Sequence, residues 1–403
     1  MSRRPDSLTL PRLFTRAFIL AALANSLLNF AAFLFVHLPG FLQQLGAGEA
    51  QIGRVMAAQA VGAIAVAPFA GRAMDTRGRR VVILAGVALF VTVVAMYLTI
   101  RSLSPFAYAV RVLDGAATTM WYTALFTYAA DLVPIERRTE GLAIFGISGL
   151  VAIGLGAQVG EVILAYTTYR GLFLCAMVLA AVGLMLCIPL RDIPSSDNEP
   201  RGRARHVLAT TVQRDLLPVW CAALSFFVAV VALFTFMKTF VTTTGTGSVG
   251  AFFGVYAIVA VALRALAGRL PERLGTRRTL GIAMSCYAAG LGVLSLADTP
   301  GHVITAGLLC GAGHGYTFPV LLSLVVTRAR SAERGAATAF FAALDWLGLL
   351  MAGPVVGFAI ERMGYRTAFG GLALLLAIGM GFFYALDRDF TTRRESGRTV
   401  ETL

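Results

Sequence analysis

The chain has 403 residues, of which 58% are hydrophobic and 14% charged, with a mean hydropathy of +0.77. Soluble domains carry about a quarter charged residues, so the composition excludes the ordinary soluble classes and points to an integral membrane protein. The net charge of +13 comes from 33 Arg and one Lys against 21 Asp and Glu. These cations sit in short segments between apolar runs, so they read as membrane topology and not as a nucleic-acid surface.

Twelve apolar runs follow, each near the roughly 20 residues that a helix needs to cross hydrocarbon. They are expected at about 14–38, 50–70, 81–100, 106–130, 141–165, 169–190, 216–241, 249–268, 279–297, 303–327, 336–360 and 367–387. The first is too long for a signal-peptide core and reads as a retained membrane helix. A polar segment at 191–215, with Pro194, Ser195, Ser196 and Pro200, reads as a linker. The expected organisation is a six-helix bundle over 1–190, a cytoplasmic linker over 191–215, a second bundle over 216–387 and a cytoplasmic tail over 388–403. With the N-terminus inside, 26 of the 34 Lys and Arg fall in inside segments, counting Arg16 at the inner edge of the first run. Arg101, Arg170, Arg362 and Arg366 fall outside, and Arg54, Arg111, Lys238 and Arg264 lie within spans. That bias places both termini in the cytoplasm.

The loop after the second run reads Gly71-Arg72-Ala73-Met74-Asp75-Thr76-Arg77-Gly78-Arg79-Arg80. A second copy begins at Gly268, and an offset of 197 residues relates Asp75 to Glu272, Gly78 to Gly275 and Arg80 to Arg277. Gly53 with Gly250, Gly156 with Gly353, and Glu136 with Glu333 keep the same offset. Two basic loops on one side of the membrane require an even number of crossings between them. The halves are therefore parallel repeats, an arrangement that places a binding site between them.

On these residues the chain resembles the major facilitator superfamily over nearly its whole length. Gly71-x-x-x-Asp75-x-x-Gly78-Arg79-Arg80 is similar to the family's signature between helices 2 and 3. Arg111-Val112-Leu113-Asp114-Gly115 is similar to its Arg-x-x-Gln-Gly motif in helix 4, with Asp114 replacing the Gln. The Gly-Pro-x-x-Gly element that drug and metabolite antiporters carry in helix 5 appears here without its Pro, as Gly156 to Gly160. The full pattern stands in helix 11, at Gly353-Pro354-Val355-Val356-Gly357. The resemblance implies an all-α membrane fold of twelve helices in two parallel six-helix repeats. The overall pattern is similar to twelve-helix bacterial drug and sugar efflux permeases.

Charge placement says which helices face lipid. Runs 3, 6, 9 and 12 have no charged residue or His in their cores, which suits them to the lipid-facing periphery. In run 4, Arg111, Asp114, Thr118 and Tyr122 form one polar stripe at helical spacing. The stripe reads either as a wet cavity face or as a self-neutralising pair between helices. Asp345 stands alone near the middle of run 11. A lone carboxyl in apolar surroundings is costly to keep charged, so Asp345, Arg111 and Asp114 are the proton-coupling candidates. Asn25, Asn29, Thr118, Tyr122, Lys238 and His314 are the substrate-cavity candidates. Lys238, the one lysine, reads equally as an anion contact or as an interfacial residue. The two asparagines read equally as cavity-lining or as interhelical hydrogen bonders. Arg54 and Glu161 are a candidate ion pair near the outer face. Gly307, Gly311 and Gly315 form a small-residue face for close packing in run 10.

The gate candidates are Gly71, Asp75, Gly78, Arg79 and Arg80 in the first loop, and Gly268, Glu272 and Gly275 in the second. Asp75 is expected to bond the N-terminus of helix 11, and Glu272 that of helix 5. The five cysteines lie in apolar runs without metal or redox spacing and read as free thiols. The sequence holds no metal-site spacing, phosphate-binding Gly loop or hydrolytic triad, so no cofactor and no enzymatic role are expected. The expected function is proton-coupled export of a small molecule by alternating access. Uptake of an organic anion or sugar with protons is the alternative, and a non-transporting membrane scaffold or sensor is the reading from another class. The expected partners are the lipid bilayer, protons and a small molecule. A monomer is compatible with the pattern, and the Arg-rich composition with a bacterial cytoplasmic membrane.

Overall fold

Gly78 and Gly275 carry the repeat down to the backbone. Their φ values are 89° and 83°, a region that side chains with a Cβ rarely enter. Each ends one helix and opens the next, which is why a basic loop of so few residues reverses the chain. A computed structural model describes residues 13–134, 137–192, 213–330 and 333–400. The core of the expected linker, 193–212, lies outside the described residues, as do Glu136 and residues 401–403.

All regular structure among the described residues is helical. α1 (Arg16–Leu34) continues through a 3-10 turn into α2 (Leu38–Gln44). Then come α3 (Glu49–Arg77), α4 (Arg79–Tyr97), α5 (Pro105–Leu132), α6 (Arg138–Tyr166) and α7 (Tyr169–Cys187). The second half of the chain holds α8 (Leu217–Thr244), α9 (Val249–Ala267), the short α10 (Leu270–Leu274), α11 (Thr276–Ser295), α12 (Pro300–Arg328) and α13 (Arg334–Val400). α13 breaks at Gly364, where φ is 80°. Local chemistry sets several starts. Thr15, Ser248 and Thr299 cap α1, α9 and α12 through their hydroxyls. Pro105, Pro218 and Pro300 occupy first-turn positions, where a missing N–H costs nothing.

Nine segments among the described residues are long and apolar enough to cross a membrane, against the twelve expected. α5 and α11 are more polar, with Arg111, Asp114 and several threonines in the one and Arg277 and Arg278 at the start of the other, and Arg334–Asp387 holds two of the expected runs, on either side of Gly364.

The expected peripheral helices are peripheral. α4, α7, α11 and the part of α13 beyond Gly364 each present an exposed stripe at helical spacing. In α7 it runs through Leu174, Val178, Val182 and Met185, and in α13 through Leu374, Ile378, Phe382 and Leu386. Within each half, neighbouring helices pack at backbone distance where glycine permits. Cβ atoms on Gly307 and Gly311 of α12 would strike the carbonyls of Phe252 and Tyr256 on α9. Gly311→Val is therefore expected to cost about 1–3 kcal/mol through overpacking, read as a lower thermal midpoint of the purified protein.

Between the halves, α3 packs on α13 and α6 on α9. We call the end bearing Gly78 and Gly275 the basic end, and the end bearing Gly48, Ser248 and Gly364 the far end. Hydrogen bonds that join the halves among the described residues cluster at the far end. The basic end is held by ion pairs within each half. Arg79 reaches Asp131 at 2.9 Å, and Arg328 and Arg277 reach Asp387 at 2.7 and 3.5 Å.

Candidate functional site

Arg111 and Asp114 sit one turn apart on α5 and pair directly, Nη1 to Oδ2 at 2.5 Å. Both are buried, at 2% and 3% exposure. The pair is completed by residues that the sequence reading did not single out. Tyr97 of α4 donates to Asp114 Oδ2 at 3.0 Å, and Arg111 Nη2 donates to Gln59 Oε1 of α3 at 2.5 Å. Thr118 donates to Asp114 Oδ1 at a long 3.4 Å. Gly115 and Gly62 let α5 and α3 meet backbone to backbone beside this cluster. Of the two readings open for the stripe, the structure shows the neutralised pair for Arg111 and Asp114, made within α5 and packed against α3 and α4. Further along the stripe Tyr122 emerges, 44% exposed. A fully wet stripe was not realised because α3 and α4 cover its first turns.

Tyr122 faces the second half. It lies within electrostatic reach of Asp345 on α13, across the seam between the halves. Asp345 is partly exposed and has no hydrogen-bond or ion-pair partner among the described residues. Phe341, one turn before it, packs edge-on against Phe227 at 5.3 Å and tilts against Phe318 at 5.5 Å. Next to Phe318 stands His314, whose Nδ1 shares a hydrogen bond with Tyr256. Tyr122 itself contacts Phe126. Asp345 therefore lies one helical turn from this aromatic cluster, with Tyr122 across the seam.

The other candidates lie elsewhere. Asn29 Nδ2 donates to the Asn25 carbonyl and side chain at 2.8 and 3.1 Å, and both residues are buried. Lys238 lies in the far-end seam, where its stem covers Gly40 of α2 and where it is within electrostatic reach of Glu161. Its tip has no hydrogen-bond partner among the described residues. Glu161 is not paired with Arg54, which is exposed on α3. It reaches instead across the seam to Ser248 and Gly250 at the start of α9. His37 bonds the carbonyl of Ala157 through Nε2.

Asp75 and Glu272 are exposed in this structure. Glu272 borders a cavity of about 400 Å³ with Arg264, Tyr316 and Ser323. Gly71 faces open space, whereas Gly78 abuts Asp192. Arg79 and Arg80 bind within their own half: the Arg80 amide donates to Asp192 at 2.9 Å and its guanidinium to the Ile188 carbonyl at 3.0 Å. Gly268 lines the same cavity as Glu272, and Gly275 makes the turn into α11. Among the described residues no three His, Cys, Asp or Glu side chains gather as metal ligands.

The comparisons agree with this architecture. The family model for the Major Facilitator Superfamily matches residues 17–297 and 246–402. An uncharacterised MFS-type transporter of Burkholderia mallei is 25% identical over 357 residues, covering 85% of each chain. One from Pseudomonas aeruginosa is 26% identical over 357 residues, covering 85% of this chain and 87% of that one. Among solved structures, a nucleoside transporter superposes with a TM-score of 0.78 at 13% identity, covering 92% of this chain and 99% of the other. A D-xylose-proton symporter gives 0.74 at 16% identity, covering 91% and 96%. A bacterial homologue of the human lysosomal transporter Spinster, inward-facing and unoccupied, gives 0.76 at 14%, covering 93% and 97%. The two parallel basic loops, the cross-packed halves and the match along nearly the whole length agree: this chain is a transporter of the Major Facilitator Superfamily.

Proposed function

We propose that the protein exports a small amphipathic cation in exchange for protons, with Asp345 as the shared site. The observation that carries this reading is the isolation of Asp345. A carboxylate without a built-in counter-ion is neutralised either by a proton or by a cationic cargo, and one excludes the other. Competition at a single acid couples the two flows in opposite directions, provided that the two orientations of the halves differ in affinity for them. Tyr122, with Phe318 partly exposed behind it, supplies ring faces and edges that suit an aromatic cation.

The rest of the reading keeps twelve spans, two six-helix bundles over 1–190 and 216–387, and termini in the cytoplasm of a bacterial cell. The basic end is then cytoplasmic, and the far-end contacts close the outer side. The inward-facing Spinster homologue has the same fold. Proton-coupled uptake is the second reading, and the likeness to a D-xylose-proton symporter favours it. Against its anion version, Arg111 is sealed inside the first half and Lys238 lies in the far-end seam.

Reconstitution decides between them. Proteoliposomes with an acid lumen are expected to accumulate ethidium, a permanently charged aromatic cation, as protons leave. Accumulation of cargo together with inward proton flow would overturn export, and a flux indifferent to both Asp345 and Asp114 would overturn coupling at either acid. Absence of any flux across a cargo panel would favour the scaffold.

A further inference from the structure

We infer that Glu161 and Glu361 are a pair of crossed clasps that position the two halves in the far-end-closed state. The inference needs only that the halves separate during transport, and it is independent of export, uptake or cargo. Each glutamate sits near the far end of a helix that lines the seam, and each caps the first turn of a helix belonging to the opposite half. Glu161 Oε2 of α6 accepts from Ser248 Oγ at 2.5 Å and from the Gly250 amide at 2.8 Å, at the start of α9. Glu361 Oε2 of α13 accepts from the Ala50 amide at 3.0 Å, at the start of α3.

The second contact explains a gap in local sequence. The N-cap of α3 is Gly48, which has no side chain to cap with, and no intrahelical cap is made there. Its first-turn amides are left to be satisfied from elsewhere, and the other half supplies the carboxylate. A Cβ on Gly48 would lie 3.2 Å from Glu361 Oε2, so the glycine also makes room for it. A carboxylate at a helix N-terminus is favoured both by the free amides and by the helix dipole. Neighbouring bonds extend the second clasp. Glu49 accepts from Tyr365 Oη at 2.7 Å and from Thr239 Oγ1 at 3.0 Å, both in the opposite half. Below them, Gly53 and Gly353 pack backbone against backbone. None of these bonds survives separation of the far ends. The clasps therefore contribute to one conformation and not to the other, which is the condition for shifting a population.

The test uses spin labels at exposed positions on opposite halves of the full chain, with the exposed thiol removed by Cys175→Ser. Ser102→Cys with Leu296→Cys reports the far end, and Thr76→Cys with Arg273→Cys reports the basic end. Glu161→Ala with Glu361→Ala is expected to raise the ratio of far-end-open to far-end-closed protein by roughly tenfold or more, since a hydrogen bond to a charged group is lost at each site. The far-end distance should lengthen as the basic-end distance shortens. Glu161→Gln with Glu361→Gln keeps an acceptor oxygen and should fall between the two. A role in folding alone would lower the thermal midpoint without moving the two distances in opposite senses. Unchanged distributions in the folded double alanine variant would overturn the clasp.

Discussion

Asp345→Asn is expected to uncouple the transporter while leaving it folded. Asparagine keeps the shape of the side chain and loses its charge, and among the described residues Asp345 has no hydrogen-bond or ion-pair partner to lose. The attraction of two unit charges 4 Å apart is about 1 kcal/mol in water and about 4 kcal/mol at an effective dielectric of 20. A partly exposed site lies between these limits, so affinity for a cationic cargo should fall roughly ten- to a hundredfold. Accumulation driven by a pH gradient should be lost, because no proton is left to compete at that position. The measurement is cation binding and gradient-driven uptake in proteoliposomes, with Asp345→Glu as the variant that keeps the charge. Full gradient-driven uptake by Asp345→Asn would move the coupling site elsewhere, and the Arg111–Asp114 pair would be the next candidate.

The second large effect lies in that pair. Arg111→Met should destabilise the protein by about 3–5 kcal/mol, because it leaves a buried carboxylate without its cation. Only the neutral hydroxyls of Tyr97 and Thr118 then face Asp114, and Gln59 loses its donor. Adding Asp114→Leu should recover much of the loss, since an apolar pair of similar volume costs no charge desolvation. Thermal unfolding of the single and double variants in detergent gives the comparison. A single variant as stable as the parent would mean that the two charges do not depend on each other.

The two expectations differ for a structural reason. Asp114 is enclosed by α3, α4 and α5, with Arg111 one turn away, so its charge belongs to the architecture of the first half. Asp345 stands at the seam between halves, where helices must part and meet again. The sequence already sets Asp114 beside Arg111 and leaves Asp345 alone, but it does not say which of the two acids stands at the seam.

The sequence by itself determined the membrane class, the parallel repeat and the family. Apolar run length and loop charge follow from the bilayer acting as solvent, and they need no partner to be read. The repeat extends even to the positive φ of Gly78 and Gly275, because a one-residue reversal between helices demands it. The exposed stripes of α7 and of α13 beyond Gly364 were equally legible, since a helix without charge is the one that lipid tolerates. Tertiary structure alone decided the partners. Glu161 lay within reach of Arg54 by position along its helix, yet helix rotation turns Arg54 out to the surface and sends Glu161 to the amides of α9. For Lys238 the sequence left an anion contact and an interfacial place equally open, and only packing against Gly40 of α2 located its stem in the seam. Gln59 and Tyr97 carry no signal in one dimension, because their importance comes from neighbours 52 and 17 residues away. The contact expected of Asp75 and Glu272 is a carboxylate on a helix N-terminus across the seam. This structure shows that chemistry at the far end, through Glu161 and Glu361. Which end is closed is a property of how two rigid halves lean on each other, and no local run of residues encodes it.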